Sequence, residues 1–195
     1  AKQGRDALKV EWDTSAVTKP DTAALLAQYR ELAAKPGNVA MQADMAPLAG
    51  APHKISAEFV FPYLAHAPME PLNCTVKLDG DKAELWMGTQ MPGLDAMAAA
   101  KTLGLQPQNV KVHTQMAGGG FGRRAIPTSD YVVEACGVAK AAHTAGITAP
   151  VRTLWSREDD IKGGYYRPMH VHRAEIGFDA KGKICLLYTS DAADE

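Results

Sequence analysis

A glycine-rich segment, residues 115–124 with the sequence Gln-Met-Ala-Gly-Gly-Gly-Phe-Gly-Arg-Arg, carries the residue types best suited to binding chemistry. Four glycines in five positions bury no side chain, so they serve to let the backbone turn at positive φ and approach a neighbour closely. Two arginines follow at once, and a predicted helix comes soon after. Outward-facing amides, a helix N-terminus and guanidinium groups together favour an anionic or oxygen-rich ligand.

This glycine loop differs from the common nucleotide-binding loops. It lacks the terminal Gly-Lys-Ser/Thr of a phosphate loop, and Arg123 stands where a dinucleotide fingerprint counted from Gly118 has its third glycine. A flexible surface connection is the simpler alternative. Phe121 argues against that alternative, because an aromatic ring within a glycine run usually anchors the loop in a pocket. The segment therefore favours a binding loop and leaves its ligand open.

Regular elements on both sides position the loop. An alternating run predicts a strand at 110–115, and residues 128–145 predict a helix that Gly146 terminates. The segment Asp79-Gly80-Asp81 predicts a hairpin between two strands. The full set of predicted strands is 7–12, 55–64, 73–78, 82–88, 110–115, 151–156, 169–178 and 183–188, and further helices are predicted at 22–34 and 94–103. Strands and helices mix without strict alternation, which favours an α+β fold with a mixed sheet.

Bulk composition bounds the class of protein. The chain has 195 residues, of which 46% are hydrophobic and 22% charged, as expected for a globular protein with a core. The net charge of -1 gives no reason to expect nucleic acid as a partner. Three widely spaced cysteines without a Cys/His cluster predict no metal site built by this chain. No run reaches the length of a membrane span. The chain begins without Met, and we expect it to be part of a larger protein.

Three further stretches make the chain recognisable. They are residues 66–74, 86–90 and 151–160, with the sequences His-Ala-Pro-Met-Glu-Pro-Leu-Asn-Cys, Trp-Met-Gly-Thr-Gln and Val-Arg-Thr-Leu-Trp-Ser-Arg-Glu-Asp-Asp. Together with the glycine loop, and in this order, they resemble the molybdenum-binding subunit of the xanthine oxidase family. The likeness is greatest to the beta subunit of isoquinoline 1-oxidoreductase and to related aldehyde dehydrogenases, and it extends over residues 1–184.

The resemblance implies a domain layout. Residues 1–13 would end a small α/β hammerhead-like domain, residues 14–54 would form a linker with a helix, and residues 55–184 would be a truncated part of the first molybdenum-cofactor-binding domain. Residues 185–195 resemble a sequencing-library adapter translated by mistake, and we expect them to be non-native.

The resemblance also implies a cofactor and its contacts. The cofactor would be molybdopterin, in its cytosine dinucleotide form, with the metal held by the pterin dithiolene and no protein metal ligand. Gln90 matches the family glutamine whose amide hydrogen-bonds an oxygen ligand of molybdenum. Phe121 and Gly122 match the loop positions that pack against the metal centre and offer backbone amides to its oxygen, and Gly119 and Gly120 would allow that close approach. Arg123 would contact a phosphate of the cofactor.

The reaction implied is hydroxylation of an aldehyde or an N-heteroaromatic ring with water as the oxygen source. Electrons would leave through 2Fe-2S clusters on a separate small subunit. The family's catalytic base would lie outside this chain, so the chain alone is expected to be inactive. Ala125 offers no hydrogen bond where purine-oxidising relatives carry an acidic residue, which disfavours purines. Relatives with this loop form often carry an export signal, and this favours the bacterial periplasm over the cytoplasm.

Plainer interpretations stay open. The main alternative function is a non-catalytic module that binds a phosphate or nucleotide through the glycine loop. Arg123 and Arg124 could be surface charges paired with Asp130 and Glu134. Without the resemblance, Gln90 is an ordinary polar residue at a strand end. For Glu70, His66 and the His170/His172 pair, a structural role is favoured over catalysis or metal binding.

Overall fold

The computed structural model of the chain describes residues 2–19, 21–35, 37 and 44–193. Within them the α-helices are α1 (Lys2–Asp6), α2 (Thr22–Ala33), α3 (Ala46–Ala49), α4 (Pro92–Leu103), α5 (Asp130–Thr144) and α6 (Arg157–Lys162). The strands are β1 (His53–Phe61), β2 (Asn73–Asp79), β3 (Lys82–Met87), β4 (Val110–Thr114), β5 (Val151–Leu154), β6 (His170–Phe178) and β7 (Ile184–Ala193). Short 3-10 turns cover Pro107–Asn109 and Arg123–Ala125.

Residues 62–169 form one compact unit, built on a four-stranded mixed sheet. The strand order is β4-β3-β2-β5, with β2 antiparallel to both β3 and β5. Strands β3 and β4 are parallel, and Ala83 pairs with Val110 at the start of their ladder. A parallel pair needs a crossover connection, which α4 supplies. The mixed sheet with its covering helices confirms the predicted α+β class.

One face of this sheet packs against α4 and α5. Alternate residues of β2 and β3 point to the helices because side chains alternate along a strand. The buried residues that meet there are Cys74, Val76, Leu85, Met87, Ala99, Val132, Ala135 and Cys136. Burial raises the pKa of the Cys74 and Cys136 thiols to about 12, so both remain protonated and act as small apolar side chains.

Residues 1–61 and 170–195 form the second compact unit. Strands β1, β6 and β7 make an antiparallel sheet with β6 in the centre, in which His53 pairs with Phe178. Tyr29 of α2 and Leu48 of α3 are buried there. The proposed domain boundaries, and a non-native origin of residues 185–195, stay predictions.

The elements next to the glycine loop agree with the sequence predictions to within a few residues, including Gly146 at φ 86 after α5. The strand predicted at 7–12 is wrong. Its Leu8, Val10 and Trp12 are 69%, 56% and 82% exposed, and the segment has no regular structure. Alternation predicts a strand only where a neighbouring strand supplies hydrogen bonds. The sequence Pro36-Gly37-Asn38 also predicts the end of the helix at 22–34, but positions 36 and 38 lie outside the described residues.

Candidate functional site

The parallel pair β3–β4 brings Gln90 and the glycine loop to the same edge of the sheet. Strand β3 ends at Met87 and β4 ends at Thr114, and both point the same way. The Gln115 amide donates to the Met87 carbonyl at 2.9 Å, which holds the start of the loop beside the end of β3. Ligands of α/β proteins commonly bind at the carboxyl ends of parallel strands.

The Gln90 side chain contacts the glycine loop directly. Its Oε1 accepts hydrogen bonds from the Gly122 amide at 3.2 Å and from the Arg124 amide at 3.3 Å. Its own backbone amide donates to the Arg124 carbonyl at 3.1 Å. Oxygen is the only acceptor of a carboxamide, so two converging amides fix which end of Gln90 faces the loop. Nε2, which has no acceptor among the described residues, is left as a donor on an exposed residue.

The loop glycines are required by close approach and by backbone angle. A Cβ on Gly120 would lie 2.7 Å from Gln90 Oε1, which is inside van der Waals contact. Gly119 and Gly122 both have φ 100, a region that L side chains rarely enter. Within the described part of the chain, the amides of Gly119, Gly120 and Phe121 have no acceptor. Three adjacent donors beside the Gln90 donor suit an oxygen-rich ligand.

Gly120→Ala is expected to displace the Gln90 carboxamide, because its new Cβ and Oε1 cannot share the space. The Gly122 and Arg124 amides would then exchange with solvent about tenfold faster, the loss of one neutral hydrogen bond. Hydrogen exchange followed by NMR measures this. Gly137→Ala in α5 is the matched control, since its Cβ would meet nothing within 4 Å. Unchanged exchange in Gly120→Ala would contradict the contact.

Phe121 does not anchor the loop, and this sequence prediction is wrong. Its ring is 74% exposed, and its backbone has φ 57, a strained value for an aromatic residue. The loop is held by polar contacts of residues next to Phe121, and not by the Phe121 ring. An exposed aromatic side chain on strained backbone is typical of a functional surface.

Arg124 and Glu70 hold the loop instead. The Arg124 guanidinium is fully buried and donates to the carbonyls of Gly119 at 2.8 Å, Gly88 at 3.1 Å and Glu70 at 3.1 Å. It also pairs with Glu70 Oε2 at 3.0 Å. The same carboxylate oxygen accepts from the Gly118 amide at 2.8 Å. The structural role favoured for Glu70 is therefore what the geometry supports, whereas Arg124 as a surface charge is wrong.

Arg124 and Glu70 together form a clamp on the glycine loop. The Glu70 carboxylate makes this clamp sensitive to acid. Burial raises its pKa, but the Gly118 amide, Asn73 and Arg124 outweigh burial and hold it below its ordinary value of 4.5. A lowered folded-state pKa stabilises the fold above the ordinary value, and this stability is lost as pH falls through the folded pKa.

Glu70→Gln is therefore expected to lower stability at neutral pH, with a difference from the unsubstituted chain that disappears in acid. Urea unfolding between about pH 7 and about pH 3 measures it. Glu175→Gln, on an exposed position of β6, is the control. A difference that stays constant over this range would show that the Glu70 charge does not stabilise the loop.

Arg123 is also buried, with 2% of its surface exposed. Its guanidinium makes a bidentate pair with Asp130, at 2.9 and 2.7 Å, and lies over the Trp155 ring at 5.4 Å. The ion pair with Asp130 agrees with the plainer interpretation from the sequence. The burial of Arg123 contradicts the part of that interpretation that made it a surface charge. Glu134 instead accepts from Trp155 Nε1 at 2.7 Å. A contact between Arg123 and a cofactor stays a prediction.

His66 borders the loop from the other side. Its Nε2 lies 3.9 Å from the position of a Cβ on Gly122. Burial, together with the nearby Arg123 and Arg167, lowers the pKa of His66 and keeps the ring neutral at pH 7. A neutral half-buried ring fits the supporting role favoured from the sequence. In the other unit, His170 and His172 lie 5.4 Å apart between ring centroids.

The groups at this edge that could contact a ligand are hydrogen-bond donors. In the described part of the chain, no three His, Cys, Asp or Glu side chains are placed to hold a metal ion. The edge offers hydrogen-bond donors instead: Gln90 Nε2 and the amides of Gly119, Gly120 and Phe121. Such a set suits the oxygen atoms of a ligand. No helix of the described residues is long and apolar enough to cross a membrane.

Solved structures share this fold. Quinoline 2-oxidoreductase from Pseudomonas putida 86 superposes with a TM-score of 0.60 at 20% identity, over 76% of this chain and 18% of that one. Aldehyde oxidoreductase from Desulfovibrio gigas superposes with a TM-score of 0.60 at 18% identity, over 78% of this chain and 16% of that one. At this identity the likeness shows the fold alone.

Comparison with known sequences shows the family as well as the fold. The chain is 37% identical over 130 residues to isoquinoline 1-oxidoreductase subunit beta of Brevundimonas diminuta, over 66% of this chain and 16% of that protein. It is 32% identical over 134 residues to the aldehyde oxidoreductase molybdenum-binding subunit PaoC of Escherichia coli K12, over 69% of this chain and 18% of that protein. The chain thus spans less than a fifth of these relatives. Because residues 31–194 match the model of the molybdopterin cofactor-binding domain, the chain belongs to that domain family.

Proposed function

We propose that this chain is part of the catalytic subunit of a molybdenum hydroxylase that oxidises an aldehyde or an N-heteroaromatic substrate. The observation that carries the proposal is the orientation of Gln90. The Gly122 and Arg124 amides hold its oxygen, so its Nε2 faces outward as a donor beside three loop amides. A phosphate-binding loop has no need of a glutamine held in this way.

In this proposal the chain's own residues bind and orient the cofactor. Gln90 Nε2 and the Phe121 amide donate to its oxygen atoms, Gly119 and Gly120 allow it to approach the backbone, and the Phe121 ring covers it. The Gly122 amide contributes indirectly, because it is engaged with Gln90 Oε1. Arg123 contacts the cofactor directly or, alternatively, supports the loop through its ion pair with Asp130.

When bound, the molybdenum cofactor would supply the two-electron chemistry that transfers an oxygen atom from water to the substrate carbon. For an aldehyde the balance is one aldehyde and one water giving one carboxylic acid, two protons and two electrons. The two electrons pass to 2Fe-2S clusters on a small partner subunit. Loop donors stabilise charge that develops on oxygen during such a reaction.

The finer parts of the proposal follow from the family resemblance. The pterin is in its cytosine dinucleotide form, and the catalytic base lies on another part of the subunit, so the chain alone is inactive. The methyl side chain of Ala125 cannot hydrogen-bond a purine, which favours a less polar ring or an aldehyde. The bacterial periplasm is the proposed compartment.

Metal analysis of the complete subunit tests the proposal. The subunit would be co-expressed with the machinery that inserts the molybdenum cofactor, purified, and analysed for molybdenum and for bound nucleotide. We expect stoichiometric molybdenum with a released pterin. A protein without molybdenum that carries a nucleotide phosphate on the glycine loop would instead establish the non-catalytic binding module.

A further inference from the structure

The turn that carries Gln90 is fixed by the hydroxyl of the preceding residue. Thr89 Oγ1 accepts a hydrogen bond from the Met91 amide at 3.0 Å, which closes a small turn around Gln90. The same hydroxyl donates its proton to Asp95 Oδ2. One side chain therefore ties the backbone after Gln90 to a carboxylate in the core.

Asp95 is a rigid anchor for that hydroxyl. Only 2% of its surface is exposed, and it lies in the first turn of α4, where its own amide donates to the Met91 carbonyl at 3.1 Å. A negative charge near the N-terminus of a helix is stabilised by the helix dipole. Asp95 thus joins the start of α4 to the turn that carries Gln90.

The other side of the turn is held as firmly. The Gly88 carbonyl accepts from the buried Tyr131 hydroxyl at 3.0 Å and from Arg124 Nη1 at 3.1 Å. With Gly88 fixed on one side and Met91 on the other, the backbone of Gln90 has little freedom. Its side chain can then meet the Gly122 amide without paying much conformational entropy.

We propose that Asp95, acting through the Thr89 hydroxyl, is a positioning residue for the Gln90 carboxamide. Asp95 is buried and the Thr89 hydroxyl is bonded to Asp95 and to the Met91 amide, so both act by holding the Gln90 oxygen against the Gly122 and Arg124 amides. This places the Gln90 Nε2 donor before a ligand binds. The inference rests on the proposed function only for the identity of the group that Gln90 binds.

The test removes the hydroxyl without changing the shape of the side chain. In the 195-residue chain, Thr89→Val removes both hydrogen bonds of the hydroxyl. The exchange rates of the Gly122 and Arg124 amides are then expected to rise about tenfold, because each amide loses its hydrogen bond to Gln90. Thr89→Ser keeps the hydroxyl and is expected to retain protection, as is Asp95→Asn, whose carbonyl oxygen still accepts. The Leu85 amide, in the buried central strand β3, reports on the fold as a whole.

A double variant shows whether the effect runs through Gln90. In a Gln90→Ala background the two loop amides have already lost their acceptor, so adding Thr89→Val is expected to change nothing further. Additional exchange in that background would overturn the proposal. So would equal protection in Thr89→Val and the unsubstituted chain, or loss of Leu85 protection together with the loop amides.

These outcomes are separate from the fate of the proposed function. The exchange measurement uses no cofactor, so a failure of the positioning role leaves the molybdenum content of the complete subunit unaffected. Conversely, the complete subunit could hold no molybdenum while Thr89→Val adds nothing to the faster loop-amide exchange of Gln90→Ala. That pair of results would reject the oxidoreductase proposal and keep the positioning role.

Discussion

Gln90→Ala is expected to lower the turnover of the complete, molybdenum-loaded subunit by about 10²- to 10³-fold, the usual cost of removing one preorganised donor. The physical reason is the fixed orientation of the carboxamide, whose Oε1 is held by two loop amides at 3.2 and 3.3 Å. Such a donor needs no reorganisation when charge develops on a ligand oxygen. Steady-state oxidation of an aromatic aldehyde by the subunit assembled with its small iron–sulfur partner, with a dye as the final two-electron acceptor and rates normalised to molybdenum content, measures the effect.

Two variants separate the donor from the rest of the side chain. Gln90→Glu keeps an oxygen for the Gly122 and Arg124 amides but presents no donor at neutral pH, so it should lose nearly as much activity as Gln90→Ala. Gln108→Ala is the matched control, because Gln108 is exposed on the turn before β4 and makes no contact with the loop. Full activity in Gln90→Glu would show that the donor has no catalytic part.

Arg124→Ala is expected to destabilise the chain by about 3 kcal/mol, near the lower end of the cost of breaking a buried ion pair. The guanidinium is fully buried, and its loss leaves the carbonyls of Gly88 and Gly119 without their donor. Because the Glu70 side chain is 33% exposed, solvent screens its remaining charge and reduces the cost. The midpoint of urea unfolding measures the difference at constant slope.

The control for Arg124 is an arginine in an exposed pair. Arg173 Nε lies 3.3 Å from Glu58 Oε2, with 39% of its side chain exposed, and Arg173→Ala should cost only about 0–1 kcal/mol. Arg124→Lys should recover little stability, since one ammonium cannot replace a guanidinium that contacts four acceptors. If Arg124→Ala and Arg173→Ala destabilise equally, the buried clamp does not hold the loop.

The sequence predicted the elements that frame the site because their signals are local. The hairpin at Asp79-Gly80-Asp81 and the helix before Gly146 depend on turn residues and on spacing within a few positions. The placement of Gln90 beside the loop came from the family resemblance. Its physical cause is the parallel pairing of β3 with β4, which local patterns do not determine.

The sequence could not predict which side chains hold the loop. The aromatic ring of Phe121 predicted an anchor for the loop, yet the residue is exposed. The charge of Arg124 predicted a surface position, yet the residue is buried. Burial of a charge depends on partners far along the chain, here Glu70 and the carbonyl of Gly88. The role of Thr89 was also missed from the sequence. A hydroxyl directly before Gln90, with an aspartate six residues after that hydroxyl, is a local pattern that could have indicated a hydrogen-bonded turn.

The contact between Gln90 and the cofactor is the claim on which the account depends. A crystal structure of the complete, cofactor-loaded subunit would measure it directly, as the distance from Gln90 Nε2 to the nearest oxygen ligand of molybdenum. We predict a distance of about 2.7–3.2 Å, that of a hydrogen bond, with the Phe121 amide on the same side of the metal. A Gln90 side chain beyond hydrogen-bond reach of the metal centre, or a glycine loop that binds only a phosphate, would contradict it.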